Sequence, residues 1–170
     1  MTDRTHRTIS CCLPAAAGVA LVALLAGCQN EITDADIRNV TLTEVRLQWL
    51  DQREDPTAAE LLLIDPRARA DYEEARIPGA VHLTLPQLAR VTNRDDRIDA
   101  YRRIVVYAEG PGAVAGRAMT KRLLVLGYGQ ARHFGGGLLE WSDAGFPVES
   151  GVPEDERSRA VEREPRRPVP

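Results

Sequence analysis

Unbroken apolar runs alternate along the middle of the chain with stretches whose apolar positions recur at helical spacing. Leu61-Leu62-Leu63-Ile64 and Ile104-Val105-Val106-Tyr107 show no polar alternation. That is the pattern of strands covered on both faces, as in parallel sheets. Val81-His82-Leu83 and Ala131 to Phe134 read as shorter strands, and Val40-Thr41-Leu42 as a short apolar lead-in. Leu42, Val45, Trp49 and Leu50 give one helical face, with Thr43 as N-cap, Glu44 in the first turn and a stop at Asp55-Pro56. A short polar helix is expected over Arg69 to Glu74, a helical turn or two over Leu85 to Val91, and a polar loop over Asn93 to Asp99. The helix from Val114 to Leu126 carries the stripe Ala115, Met119, Leu123 and Leu126, and Gly127 stands at its C′ position. After Gly135-Gly136-Gly137 a last helix carries Leu139, Trp141 and Ala144. Alternating βα units of this length predict one α/β domain over residues 39–150. Its centre is a parallel sheet of about five short strands flanked by helices on both faces, and the chain shows no internal repeat.

Both ends of the chain break this pattern. Arg4 and Arg7 precede an uncharged stretch, Thr8 to Asn30, within which Ala15 to Leu25 is almost wholly apolar. That layout is a secretory signal, too short and Ala-rich for a spanning helix. The run ends in Leu25-Ala26-Gly27-Cys28, which resembles the lipobox of bacterial lipoproteins. The resemblance implies cleavage after residue 27, acylation of Cys28, a linker over 28–38 and a firm anchor in the lipid bilayer of the cell envelope. Gln29 in place of Asp implies the outer membrane, facing the periplasm, in a Gram-negative cell. At the other end, residues 151–170 hold five acidic and five basic side chains interrupted by four prolines, the composition of a disordered charged tail.

Composition narrows the chemistry. The 170 residues carry 22 basic and 25 acidic side chains, a net charge of −3 that supplies no field for nucleic acid. The three cysteines are Cys11, Cys12 and Cys28, with none in the predicted domain. A disulfide framework, a cysteine-ligated zinc and a cysteine nucleophile are therefore excluded there. His82 and His133 fall in predicted strands without the carboxylate spacing of a metal site, and no residue pattern calls for a cofactor.

Several motifs, taken in order, resemble the rhodanese-like family. Ile64-Asp65-Pro66-Arg67 with Tyr72 resembles its strand-end Asp-x-Arg and downstream aromatic. Ala75-Arg76-Ile77-Pro78-Gly79-Ala80 resembles its Gly-His-Ile-Pro-Gly-Ala turn. Val105-Val106-Tyr107, Leu126-Gly127-Tyr128, and Gly136-Gly137 with Trp141 and Gly145-Phe146-Pro147 match the remaining landmarks. Asp65, Arg67, Pro78, Gly79, Gly136, Gly137 and Trp141 are the structural motif. The resemblance implies a sulfurtransferase fold whose nucleophilic cysteine follows the strand directly. Here that position is Ala108, and the second cysteine of a family variant falls on Ala113. A methyl group can neither attack a sulfur donor nor hold a persulfide, so the expectation is a degenerate member without a catalytic residue.

The loop itself remains a candidate. Glu109, Gly110, Gly112, Ala113 and Val114 open a helix whose backbone amides could cradle a small anion, with Arg117 adding charge. Arg117 could equally face solvent, and Glu109 repel anions. Three functional readings stay open: a non-catalytic envelope lipoprotein that binds an anion or an envelope protein partner, a sulfurtransferase-related enzyme that borrows a partner's cysteine, and a structural lipoprotein with a vestigial pocket.

Overall fold

The structure, a computed structural model, describes residues 31–153. The expected signal segment, Cys11, Cys12, Cys28 and the expected tail from residue 154 onward lie outside the described residues. The fold belongs to the unit that begins at Ile32.

After a 3-10 turn at Asp34–Asp36, the elements run α1 (Leu42–Glu54), β1 (Leu61–Asp65), α2 (Arg69–Glu74), β2 (Val81–His82), α3 (Leu85–Ala89), α4 (Asp96–Asp99), β3 (Arg103–Tyr107), α5 (Val114–Val125), β4 (Ala131–Phe134) and α6 (Gly137–Asp143). The sheet has four strands in the order β2-β1-β3-β4, all parallel. The expected fifth strand is a single parallel bridge, Asn39 to His133, because the chain turns into α1 immediately afterwards. Helix α1 starts two residues earlier than expected. Thr41 caps it and Glu44 reaches back to the Thr41 amide at 2.7 Å, a reciprocal capping box. The polar stretch before β3 contains α4, capped by the Asp95 side chain.

Unbroken apolar strands make sense in this topology. Leu61, Leu63, Val105 and Tyr107 point to one face, where they pack with Val45, Trp49, Leu138 and Trp141 of α1 and α6. Leu62, Ile64, Ile104 and Val106 point to the other, against Leu88, Ile98, Met119 and Leu123 of α3, α4 and α5. Every residue of β1 is buried. On α6, Leu138 faces the core, while Leu139 is 46 % exposed and lies over the loop after β3.

Strand order also creates the cleft. From β1 the chain moves outward to β2 and then crosses to β3 on β1's other side. The loops after β1 and β3 therefore diverge, opening a crevice at the carboxyl ends of the strands, where ligands of open α/β sheets bind. Among the described residues no helix is long and apolar enough to cross a membrane.

Candidate functional site

The crevice is a cleft of about 590 Å³ between the β1–α2 segment and the β3–α5 loop. Pro66, Arg67, Asp71 and Glu74 form one wall, and Ala108, Glu109, Ala113 and Val114 the other.

Asp65, the last residue of β1, holds Arg67 in place without lining the cleft itself. Its carboxylate is wholly buried and accepts from the Arg67 backbone N–H at 3.0 Å, from Arg67 Nε at 3.1 Å and from Arg67 Nη2 at 2.8 Å. Pro66 between them holds the chain extended enough for Arg67 to fold back on Asp65. Nη2 also donates to the Ala75 carbonyl. Nη1 reaches the cleft and meets Glu109 Oε2 at 2.7 Å. Burial alone would lower the Arg67 pKa, but Asp65 and Glu109 outweigh it and leave the guanidinium more firmly protonated than usual. His82 Nε2 lies 2.9 Å from the Arg67 carbonyl, which can only accept, so this nitrogen carries the proton.

Tyr107, the last residue of β3, is completely buried. Its hydroxyl accepts from the Ile77 N–H at 3.1 Å and so ties the sheet to the Pro78-Gly79 turn. Burial, reinforced by the Asp65 charge, holds its pKa well above the ordinary tyrosine value. It is a structural phenol, as the sequence suggested. At that turn Gly79 takes φ +82° and the Pro78 carbonyl accepts from Trp49 Nε1 at 2.9 Å.

Ala108 follows directly, 3 % exposed, and lines the cleft. Its carbonyl accepts from the Leu138 N–H at 2.9 Å, and the Glu109 carbonyl from the Leu139 N–H at 2.8 Å. First-turn amides of α6 thus grip the start of the loop. This needs Gly137, whose φ is +63° and where a Cβ would sit 2.5 Å from the Ala108 oxygen. Gly136 precedes it as the N-cap of α6. Gly110 is packed under Leu139, and Gly112 takes φ +86° to turn the chain into α5. No side chain caps α5 at Ala113.

Of the loop candidates, Glu109, Ala113 and Val114 line the cleft with Arg67 and Ala108, whereas Gly110, Gly112 and Arg117 do not. Arg117 pairs with Asp34 at 3.1 Å and does not line the cleft, because the segment before α1 returns alongside α5. The expectation that Arg117 charges the loop is corrected accordingly. Trp141 lies in the core, edge-on to Trp49 with centroids 5.4 Å apart, and donates from Nε1 to the Pro147 carbonyl at 2.8 Å. His133 bonds Asn39 through Nδ1 at 3.2 Å, and burial together with Arg117 lowers its pKa below the usual histidine value.

Sequence reasoning missed three features. Asp71 and Glu74 of α2 line the cleft. The sequence showed them only as positions in a polar helix. Glu109, which the sequence shows only as a loop residue, is the partner of Arg67. Arg76, 1 % exposed, reaches Glu149 Oε1 and the Gly151 carbonyl, both at 2.6 Å, and so fixes the start of the expected tail.

The family profile described as the rhodanese-like domain matches residues 46–144. An HTH-type transcriptional regulator of Mycobacterium tuberculosis is 32 % identical over 108 residues, which cover 64 % of this chain and 45 % of the regulator. The chain thus spans about half the length of that curated relative. Among solved structures, a Rhodopseudomonas palustris protein of unknown function, described as a possible tyrosine phosphatase, superposes with a TM-score of 0.54 at 20 % identity, covering 68 % of this chain and 87 % of its own. A full-length Lactobacillus plantarum protein superposes with a TM-score of 0.50 at 24 % identity, covering 66 % of this chain and 87 % of its own. These structural likenesses carry the fold alone.

Proposed function

The chain belongs to the rhodanese-like domain family, within the sulfurtransferase-related superfamily, and on that premise we propose that it binds in its cleft without performing sulfur transfer. The observation that carries this reading is alanine, not cysteine, at position 108, which lines the cleft directly after β3. Sulfur transfer in this family passes through a persulfide on a cysteine at that position. Ala108 has no lone pair to attack with and no atom to carry sulfur. Ala113, the alternative position, is equally inert. Glu109 is engaged by Arg67, and among the described residues no general base is paired with it.

The binding module is an envelope lipoprotein in this proposal. Acylated Cys28 anchors it to the bilayer, and an envelope protein is the partner of its domain surface and tail. The Leu25-Ala26-Gly27-Cys28 motif supports the anchoring.

Sulfur transfer from thiosulfate to cyanide, followed as thiocyanate, tests the central claim on the full chain. Turnover no faster than in buffer is expected. Turnover at enzyme-like rates, retained when Cys28 is replaced by serine, would defeat the reading. Metabolic labelling with palmitate, compared between the native chain and Cys28→Ser, tests the anchor. Label is expected on the native chain only.

A further inference from the structure

We propose that Glu109 is the cleft's built-in anion: its carboxylate occupies the cleft-facing nitrogen of Arg67 and sets the cleft against small external anions. This rests on the reading of a cleft that binds without chemistry, and it names what that cleft refuses.

The Arg67 side chain is 8 % exposed and committed on three sides. Nε and Nη2 hold Asp65, Nη2 also holds the Ala75 carbonyl, and Nη1 reaches the cleft. A ligand anion seeking a guanidinium there needs Nη1, and Glu109 Oε2 holds it at 2.7 Å. Charge bookkeeping agrees with the geometry. Buried Asp65 already balances Arg67, so Glu109, Asp71 and Glu74 leave the cleft walls net negative. An incoming sulfate, thiosulfate or phosphate meets that field before it meets a donor.

Glu109 differs from its partner in exposure. The carboxylate side chain is 54 % exposed while Arg67 is buried. Removing the carboxylate therefore leaves the Asp65–Arg67 unit in place and frees a donor facing open volume. The wall opposite carries Ala113 and Val114, at the uncapped start of α5, whose amides also favour an anion.

The test is calorimetric titration of sodium sulfate and sodium thiosulfate, at constant ionic strength, into the full native chain and into Glu109→Ala, Glu109→Gln and Glu74→Gln. Melting curves establish that each variant is folded. The native chain and Glu74→Gln are expected to show no saturable binding below 10 mM, a ceiling of about −2.7 kcal/mol. Glu109→Ala is expected to bind at least tenfold more tightly than the native chain. Glu109→Gln should fall between, because its amide oxygen still accepts from Arg67. Equal affinity of the native chain and Glu109→Ala would overturn the proposal. So would a gain in Glu74→Gln matching that in Glu109→Ala, since general charge relief would then be the cause. Cyanide added to the same thiosulfate samples keeps the two claims apart. Thiocyanate production by the native chain defeats the non-catalytic reading, while the binding data alone decide the role of Glu109.

Discussion

Replacing Gly137 with alanine tests whether α6 holds the loop after β3 by backbone contact. Two costs add. The residue has φ +63°, where an L side chain costs about 1–2 kcal/mol. The new Cβ would also lie 2.5 Å from the Ala108 oxygen and 2.8 Å from the Glu109 carbonyl carbon and oxygen. Those atoms are backbone and cannot rotate away. Relief requires α6 to withdraw, which stretches the Leu138-to-Ala108 and Leu139-to-Glu109 hydrogen bonds, each worth about 1 kcal/mol. The sum is about 3–4 kcal/mol. For a domain of this size that lowers Tm by roughly 10–15 °C. Gly79→Ala is the matched control: φ is +82° there, but a Cβ would meet nothing within 4 Å. It should cost only the conformational part, about 1–2 kcal/mol. Thermal and urea melts of both variants read the difference directly. If Gly137→Ala were no more destabilising than Gly79→Ala, the backbone grip on Ala108 and Glu109 would be unimportant and the reasoning wrong.

Three further outcomes are expected. In Ala108→Cys the thiol should titrate at or above about 8.5, because Glu109, Asp71 and Glu74 line the cleft and Arg67 is already paired; ultraviolet thiolate absorbance against pH reads it, and a strongly depressed value would show a functioning cradle. His133 has its pKa lowered by burial and by Arg117, so near and below pH 6.5 the unfolded chain binds more protons than the folded one and stability falls with pH; urea midpoints between pH 7.5 and 5 should drop in the native chain and drop less in His133→Gln. Arg76→Ala removes charged hydrogen bonds to Glu149 and Gly151 and a cation over the Tyr72 ring, so it should destabilise by about 2–3 kcal/mol, and limited proteolysis should show earlier cleavage after residue 145.

The scaffold was legible where a single local rule decides. The apolar runs of β1 and β3 are strands because both sheet faces are covered, and α2 and β4 fall where composition places them. Gly127 is at C′ with φ +88°, as its position after α5 suggested. Misreadings occurred where distant segments decide. The sequence names Leu139, Trp141 and Ala144 as the apolar residues of the last helix, but the turn at Gly137 points Leu138 to the core and lays Leu139 over Gly110. Arg117 is a candidate for the loop by sequence, but Asp34, which pairs with it, lies 83 residues earlier in the chain. The Arg67–Glu109 pair spans 42 residues and the Arg76–Glu149 pair 73. Neither separation leaves a periodic trace, so only the fold could reveal them. The departure at Arg76 from the family's turn residue was visible, but its clamp on Glu149 was not.

Scaffold and chemistry separate cleanly in this cleft because they use different atoms. The path of the chain at Ala108 and Glu109 is set by main-chain groups: strand pairing to residue 107, then carbonyls held by the Leu138 and Leu139 amides. None of these contacts involves the side chain at position 108. A cysteine and an alanine can therefore occupy that position on the same backbone, and the fold places no penalty on losing the nucleophile. Charge follows a different rule. A thiolate at position 108 would need a net positive surround, whereas Glu109 takes the cleft-facing nitrogen of Arg67 and α2 contributes Asp71 and Glu74. A net negative cleft suits a neutral group at position 108 better than a thiolate. Restoring cysteine alone leaves that charge unchanged, and removing Glu109 as well lowers the negative charge and frees the Arg67 nitrogen that Glu109 holds.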